Sequence, residues 1–406
     1  MTSPTEEPAF AVAGLDVQHV ENTPDHQYQR IHFDRLRRRP DVESPELVAV
    51  DATDRLLLDT AADRLHGGAV ATINDSYGAL TLGAASSNPG AVVRAFQDGI
   101  VHQRALLANA DELGLAGGYE SLPLGAELLR GATTVLLKLP RSLDELDEIA
   151  WTIAAYASPE VQVLAGGRVK HMAQSMNTVL GRHFGQVRAG LARQKSRVLF
   201  VSAPRPGDAS GFPRARQYDV GLDRPLQLRA FGATFGGAAL DPGTAFLLPH
   251  LRDLAAGAWD GAEDVIDLGC GNGAISAFLA LTHSKVAVHA TDQSSSAVAS
   301  TVATAAANGV EGRIRVSSDD AFSAVPDRSA RLIVLNPPFH SGSTVHTGIA
   351  HKLFDACARV LRPGGELVAV WNSHLRYRPS LERVIGPTHQ LERSPRFTVT
   401  VSTRRS

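Results

Sequence analysis

From residue 263 to residue 339, short apolar runs alternate with longer stretches whose apolar positions recur every three or four residues. AEDVIDLGCGNGAISAFLA reads as a buried strand ending at Asp267 and Leu268, a glycine turn, and a helix starting near Ala274. VAVHATD predicts a second strand, SSAVASTVATAAANG a helix, and RIRVSSDD and RLIVLNPPF two further strands. Strands alternating with helices imply a parallel, doubly wound sheet. In the last strand Leu332, Ile333, Val334 and Leu335 run into Asn336-Pro337-Pro338-Phe339. Paired prolines lack the N–H of a sheet ladder, so the strand must stop there in a rigid turn.

The first half carries a fainter version of the same order: AVATINDSYGALT, then VRAFQDGIVHQRALLANA, then TTVLLKLPRSLDEL. Aligning Gly78-Ala79-Leu80-Thr81 with Gly273-Ala274-Ile275-Ser276 gives an offset of 195, and Lys138-Leu139-Pro140 with Asn336-Pro337-Pro338 gives 198. Two independent landmarks agreeing this closely point to two copies of one fold. In the first copy the glycine turn has become Asn74-Asp75-Ser76-Tyr77, whose side chains would crowd a ligand, and Lys-Leu-Pro-Arg replaces Asn-Pro-Pro-Phe. The expectation is a copy that has lost its chemistry. The Pro- and Gly-rich PRPGDASGFPRARQ marks the boundary between the two.

Composition narrows the class. The chain has 406 residues, 44% hydrophobic and 20% charged, which is globular and long enough for two domains. A net charge of −2 and a pI near 6.7 announce no nucleic acid globally, so any basic face must be local. Two cysteines, Cys270 and Cys357, argue against a disulfide framework or a cysteine-rich metal site. No apolar run approaches the length of a membrane span, and the N-terminus lacks a signal-peptide pattern, so a cytoplasmic protein is expected.

The candidate chemistry lies at the carboxyl ends of the predicted strands. Gly269-Cys270-Gly271-Asn272-Gly273 has glycine at every second position, whereas a dinucleotide fingerprint wants glycine where Ala274 stands. Glycines there let backbone approach a ligand, and Asp267 can face a cationic amine. Asp292 closes the next strand, placed to accept from both hydroxyls of a ribose. Asp319 and Asp320 close the third and could accept from an adenine amino group, with Asp320 preferred. A cationic nucleoside carrying an amino acid, with no phosphate to cradle, is S-adenosylmethionine. Cys270 reads as a small residue in a tight turn rather than a nucleophile.

An amino group conjugated to a base ring is a poor nucleophile because its lone pair is delocalised. The Asn336 side-chain oxygen and the Pro337 carbonyl can each accept one N–H, turning the lone pair toward the methyl group, while the prolines hold that carbonyl still. Phe339 can stack on the ring, which must be unstacked from its helix to enter. This chemistry covers adenine N6, cytosine N4, guanine N2 and glutamine amides alike.

The chain resembles the two-domain bacterial guanine-N2 methyltransferases of ribosomal RNA, the large-subunit RNA enzymes most closely. The likeness runs from about Asp51 to Thr403 and includes FGGAALDPGTAFLLPHL, VIDLGCGNG, AANGVEG, LNPPFHSG, GGELVAVWNSHLRYRPSLERVIG and, in the first half, INDSYGALT and LLKLPRSLDEL. The resemblance implies two tandem class I (Rossmann-like) methyltransferase domains with mostly parallel seven-stranded sheets, the N-terminal copy degenerate. It implies a variable extension over 1–40, a degenerate domain over 41–203 for RNA recognition and fold stability, a linker over 204–224 and a catalytic domain over 225–406. Asn336, Pro337, Pro338 and Phe339 match the catalytic tetrapeptide, and Asp267, Gly269, Gly271, Gly273, Asp292 and Asp320 match cofactor-binding positions. S-adenosylmethionine is the implied cofactor. The implied partner is ribosomal RNA or a precursor of the ribosomal subunit, bound by a monomer needing neither metal nor membrane. The same plan serves a small-subunit RNA enzyme, so the 16S reaction stays open. So do N5-glutamine methylation of a protein, although that resemblance usually has Tyr where Phe339 stands, and a non-catalytic RNA-binding role.

From Val161 to Gly207 there is no Asp or Glu but there are eight basic residues, Arg168, Lys170, Arg182, Arg188, Arg193, Lys195, Arg197 and Arg205. Charge segregated this strongly in a neutral protein predicts phosphate contacts, the first seven being the candidate RNA-binding residues.

Overall fold

The computed structural model describes residues 31–406 apart from 45, 208, 259–264 and 338–343, with the backbone alone at 253–258 and 344–347. It contains two seven-stranded sheets. The first comprises β1 (Val70–Ile73), β2 (Val93–Phe96), β3 (Tyr119–Ser121), β4 (Thr134–Lys138), β5 (Gln162–Arg168), β6 (Phe184–Ala189) and β7 (Ser196–Pro204). A two-stranded ribbon, β8 (Arg214–Tyr218) and β9 (Leu226–Ala230), follows. The second sheet comprises β10 (Val265–Leu268), β11 (Val288–Asp292), β12 (Ile314–Ser318), β13 (Ala330–Leu335), β14 (Leu361–Asn372), β15 (Thr388–Arg393) and β16 (Phe397–Thr403). The spatial orders are β3-β2-β1-β4-β5-β7-β6 and β12-β11-β10-β13-β14-β16-β15. They are one topology written twice: five parallel strands extended by an antiparallel pair.

Strand register confirms the internal alignment residue by residue. Ile73 pairs with Leu137 and Phe96 in the first sheet, and Leu268 pairs with Leu335 and Thr291 in the second. Offsets of 195 and 198 therefore survive in three dimensions, and they place Gln97 where the second copy has Asp292. The crossover helices match too: Ile100–Leu113 stops at Gly114 (φ 70°) and Ser295–Asn308 at Gly309 (φ 66°), each glycine taking the left-handed conformation that ends a helix.

The central strands are apolar throughout because helices cover both faces. All four residues of β1 and of β10 are buried, and the helix Ala274–Thr282 is buried nearly all round.

The residues around the expected boundaries are ordered against both domains. Residues 31–40, read as extension, belong to the first domain: Ile31 and Leu36 are in its core, and Arg37 N donates to Asn109 Oδ1 at 2.9 Å. β7 runs one residue past 203, and the 204–224 stretch contains β8. β8 pairs with β9, which lies on the helix Ser295–Asn308 through mutual bonds between Gln227 and Asn308. Proline and glycine there mark a ribbon laid along the second domain instead of a free linker.

Candidate active site

The site is assembled at the carboxyl ends of β10, β11, β12 and β13, where strand order reverses and loops diverge to leave a crevice. Gly269, Gly271 and Gly273 all have positive φ (75°, 55° and 77°). At Gly273 a Cβ would lie 2.9 Å from Thr301 Cα, so close helix packing demands glycine. At Gly269 and Gly271 an added Cβ meets nothing, so those two face open space into which a ligand can settle. Asn272 holds the chain preceding the helix Pro242–Ala258 over this turn, its Nδ2 donating to the carbonyls of Gly237 and Ala239 at 2.9 Å each.

Asp267 is fully buried beneath the turn. Its Oδ2 accepts from Ser276 Oγ (2.6 Å) and Ser276 N (3.1 Å), and burial pushes its carboxyl up to about 7. Asp292 is suspended between two loops, Oδ2 accepting from Gly271 N and Oδ1 from Ser294 N, both at 3.0 Å. Burial raises its pKa as well. Each of its oxygens still has capacity for a further hydroxyl donor. Asp319 is spent on its own turn, accepting from Asp320 N, Ser323 Oγ and Ala324 N. Asp320 is held instead by Lys352, whose Nζ lies 2.7 Å from both carboxylate oxygens. Cys270 is buried with its thiol pKa raised by burial, which fits packing and not nucleophilic chemistry.

Asn336 closes β13. Its Nδ2 donates to Asp241 Oδ1 and Thr244 Oγ1, both at 2.9 Å, and its Oδ1 is buried with no hydrogen-bond partner. The opposite amide orientation would set two acceptors against each other at Asp241, so the geometry fixes Oδ1 as the free acceptor. Pro337 is buried beside it, while Pro338 and Phe339 lie outside the described residues.

Sequence reading missed Asp241 and Thr244. The signal was the Asp241-Pro242 pair, a helix-start pattern with proline in the first turn, but nothing local says that this cap faces Asn336 across some 95 residues. It also missed Lys352, whose partner is set by the turn after β12.

The site residues fit S-adenosylmethionine. Asp267 Oδ1, Thr291 Oγ1 and Asn336 Oδ1 are buried polar atoms left without partners at three adjacent strand ends, beside two glycines opening on empty space. Among the described residues no cluster of His, Cys, Asp or Glu could hold a metal ion, and no helix is long and apolar enough to cross a membrane.

The first copy shows the same positions filled differently. Asn74 keeps the left-handed turn (φ 63°) but donates through Nδ2 to Glu145 Oε1. Tyr77 bonds Asp41 at 2.6 Å with Arg38 stacked on its ring at 4.5 Å. Gln97 donates to the Asp75 carbonyl, and Lys138 is clamped by Asp54 (2.6 Å) and Asp51 (3.2 Å). A cavity of about 390 Å³ remains beside Lys138, with Arg141, Arg168 and His171 in its lining.

The acid-free span forms β5, a helix (Gln174–His183) and the edge hairpin β6–β7, not one helix face. Lys170, Arg188, Arg193 and Lys195 are exposed and Arg168 and Arg197 half-buried. Lys195 O accepts from Val169 N, which brings the hairpin tip beside Arg168 and Lys170. Arg182 is drawn away to Asp147 (3.4 Å), Arg193 lies 3.9 Å from Asp59, and Arg188 stacks on Phe200. The span is therefore less uniformly free than its composition suggests.

Known proteins place these features in a family. Residues 25–205 match the RLMG N-terminal domain and residues 226–401 the Methyltransferase small domain. The fold is shared with the Thermus thermophilus 16S rRNA N2 G1207 methyltransferase (RsmC), solved with AdoMet and guanosine, at a TM-score of 0.71 and 20% identity over 87% of this chain and 92% of that one. The "Ribosomal RNA large subunit methyltransferase G" of Streptomyces avermitilis is 33% identical over 380 residues, 90% of this chain and 95% of the relative. That of Pseudomonas putida is 32% identical over 372 residues, 90% of this chain and 96% of the relative. This chain is a member of the ribosomal RNA large subunit methyltransferase G family.

Proposed function

We propose that the chain transfers a methyl group from S-adenosylmethionine to the exocyclic N2 of a guanine in large-subunit (23S) ribosomal RNA. The observation that carries this reading is Asn336, whose amide nitrogen is tied to Asp241 and Thr244 while its oxygen is buried and free. S-adenosylmethionine supplies an electrophilic methyl group on sulfonium. The protein supplies acceptors: Asn336 Oδ1 and the Pro337 carbonyl take the two N–H groups of the target amine, and the lone pair is directed out of conjugation. No strong general base is needed, because the nitrogen becomes acidic on methylation. Asp292 takes the ribose hydroxyls, Asp320 the adenine amine with Lys352 shifting aside, and Asp267 supports the turn from beneath. Pro338 and Phe339 belong to the same reading, Phe339 as the surface on which the extruded base stacks.

The first domain, residues 41–203 with the packed 31–40, positions RNA and has no cofactor site of its own; residues 225–406 do the chemistry. Arg168, Lys170 and Lys195, joined by Arg141, form a cationic cluster at the carboxyl edge of the first sheet, with the neutral His171 imidazole beside it. The His171 imidazole is held below the ordinary histidine range by desolvation and by the charges of Lys170, Arg141 and Arg168. Such a cluster suits phosphate. Arg188, Arg193 and Arg197 extend it along the hairpin; Arg182 contributes less because Asp147 neutralises it. The chain acts as a cytoplasmic monomer.

The test is direct. Purified protein with labelled cofactor is offered naked ribosomal RNA or assembled subunits from a strain lacking it, and the labelled nucleotide is mapped. One N2-methylguanine in large-subunit RNA is expected; label on small-subunit RNA or on a protein glutamine would overturn the reading.

A further inference from the structure

The two domains meet where β2 and β11 end, and they meet through equivalent residues. Gly99 and Ser294 form an antiparallel bridge, Ile100 N donates to Gln293 O at 2.9 Å, and Ser295 N donates to Asp98 O at 2.8 Å. With the 195 offset, 98, 99 and 100 correspond to 293, 294 and 295, so this is the self-complementary contact of a two-fold dimer made within one chain.

Its backbone symmetry is broken by one side chain. Asp98 Oδ1 accepts from Ser296 N (2.8 Å) and from Ser295 Oγ (2.9 Å), whereas its counterpart Gln293 offers the helix Ile100–Leu113 only a carbonyl. That helix, N-capped by Gly99, has no side-chain cap. The helix Ser295–Asn308 has all of its first N–H donors satisfied: Ser294 N by Asp292 Oδ1, Ser295 N by Asp98 O, Ser296 N by Asp98 Oδ1 and Ala297 N by Ser294 Oγ. The acid assigned to the ribose and an acid from the other domain thus share one helix terminus.

We propose that Asp98 is a positioning residue for the cofactor site: by completing this cap from the first domain it fixes the Gln293-Ser294 turn from which the Asp292 carboxylate is held. The degenerate domain then serves the chemistry through the cofactor as well as through RNA. The inference rests on the reading of Asp292 as the ribose acceptor. It also predicts reciprocity, since a cofactor that gains affinity from an ordered junction must order that junction in return.

The test is titration of S-adenosylmethionine into the full-length wild type, Asp98→Ala, Asp98→Asn and Asp292→Ala, with RNA affinity measured alongside. Asp98→Ala is expected to weaken cofactor binding about fivefold, the scale of one lost cap, with RNA affinity unchanged. Asp98→Asn keeps an acceptor for Ser296 N and should restore it, and Asp292→Ala should weaken it at least about tenfold. Wild-type cofactor affinity in Asp292→Ala would refute the ribose assignment. Weak binding in Asp292→Ala beside wild-type binding in Asp98→Ala would refute positioning alone. Parallel loss of RNA and cofactor affinity, or no rescue by Asp98→Asn, would reduce Asp98 to a structural contact. Hydrogen exchange on the wild type needs no variant: cofactor should slow exchange at Ser295, Ser296 and, across the junction, Ile100, and an unchanged Ile100 overturns the proposal.

Discussion

At the end of β13 a neutral amide is gripped by the capping residue of a helix and the residue three positions on, Asp241 and Thr244. At the end of β4 an ammonium is gripped in the same way by Asp51 and Asp54, the cap of the helix Ala52–Ala61 and the residue three positions on. The grip is common to both copies and its consequence is opposite. Asn336 donates into it and keeps a buried oxygen without a partner, whereas Lys138 is all donor and is consumed by two carboxylates. The same holds beneath the turn, where Asp267 with Ser276 in the second copy corresponds to Thr72 with Thr81, 2.8 Å apart, in the first. A duplicated fold can keep its hydrogen-bond geometry while one copy holds a partnerless acceptor and the other a closed ion pair.

If that contrast is right, equivalent substitutions must fail differently. Asn336→Ala should lower the single-turnover methylation rate by about 10²–10³, the scale of a lost oriented polar contact, with cofactor affinity unchanged by calorimetry. Wild-type turnover would make the tetrapeptide a structural loop. Lys138→Ala should leave the rate per folded molecule intact but destabilise the protein by roughly 2–4 kcal/mol, because Asp54 is left buried without its charge partner. Denaturant unfolding reads it, and a catalytic defect without a stability loss would place chemistry in the first copy.

A smaller effect separates the domains by ligand. Arg168, Lys170 and Lys195 replaced together by Glu should weaken RNA binding and flatten its salt dependence by about one unit of slope per contact, leaving one cofactor per chain. Filter binding across a salt series decides; an unchanged slope would leave this cluster a solvated edge.

Much of this was legible in the sequence because it is local or periodic. The apolar runs of β10 and β13 and the alternating glycines give the sheet and the turn, the acids at strand ends mark the candidate site, and the paired landmarks give the duplication. What escaped is what depends on distant partners. That Asp241 orients Asn336, that Lys352 covers Asp320, that Arg182 is drawn to Asp147 and that Asp98 caps a helix some 197 residues away are facts of packing, invisible to spacing. The packing of residues 31–40 has the same cause: the segment is rich in arginine, yet Leu36 is core and Arg38 covers Tyr77.

The smallest expected effect concerns Asp267, which has no titrating counterpart because Thr72 stands in its place. Burial pushes its carboxyl up to about 7, against about 4 in an unfolded chain. The folded state therefore holds a proton that the unfolded state has released across that window, so its contribution to stability is present below about pH 4 and is lost as pH rises to about 7. Asp54, pushed up to about 6, and Glu145, to about 7, slope the same way in the first copy. Asp267→Asn keeps an acceptor for Ser276 and should flatten part of the fall, a difference on the order of 1 kcal/mol or less, or roughly 2–4 °C in Tm. If Asp267 faces the cationic end of S-adenosylmethionine, saturating cofactor should flatten the wild-type profile too, because a neighbouring positive charge favours the carboxylate. Thermal scans from pH 5 to 8 with and without cofactor test both statements. A wild-type slope retained in Asp267→Asn would assign the titration to the other buried carboxyls, Asp292 beside it or Asp54 and Glu145 in the first copy.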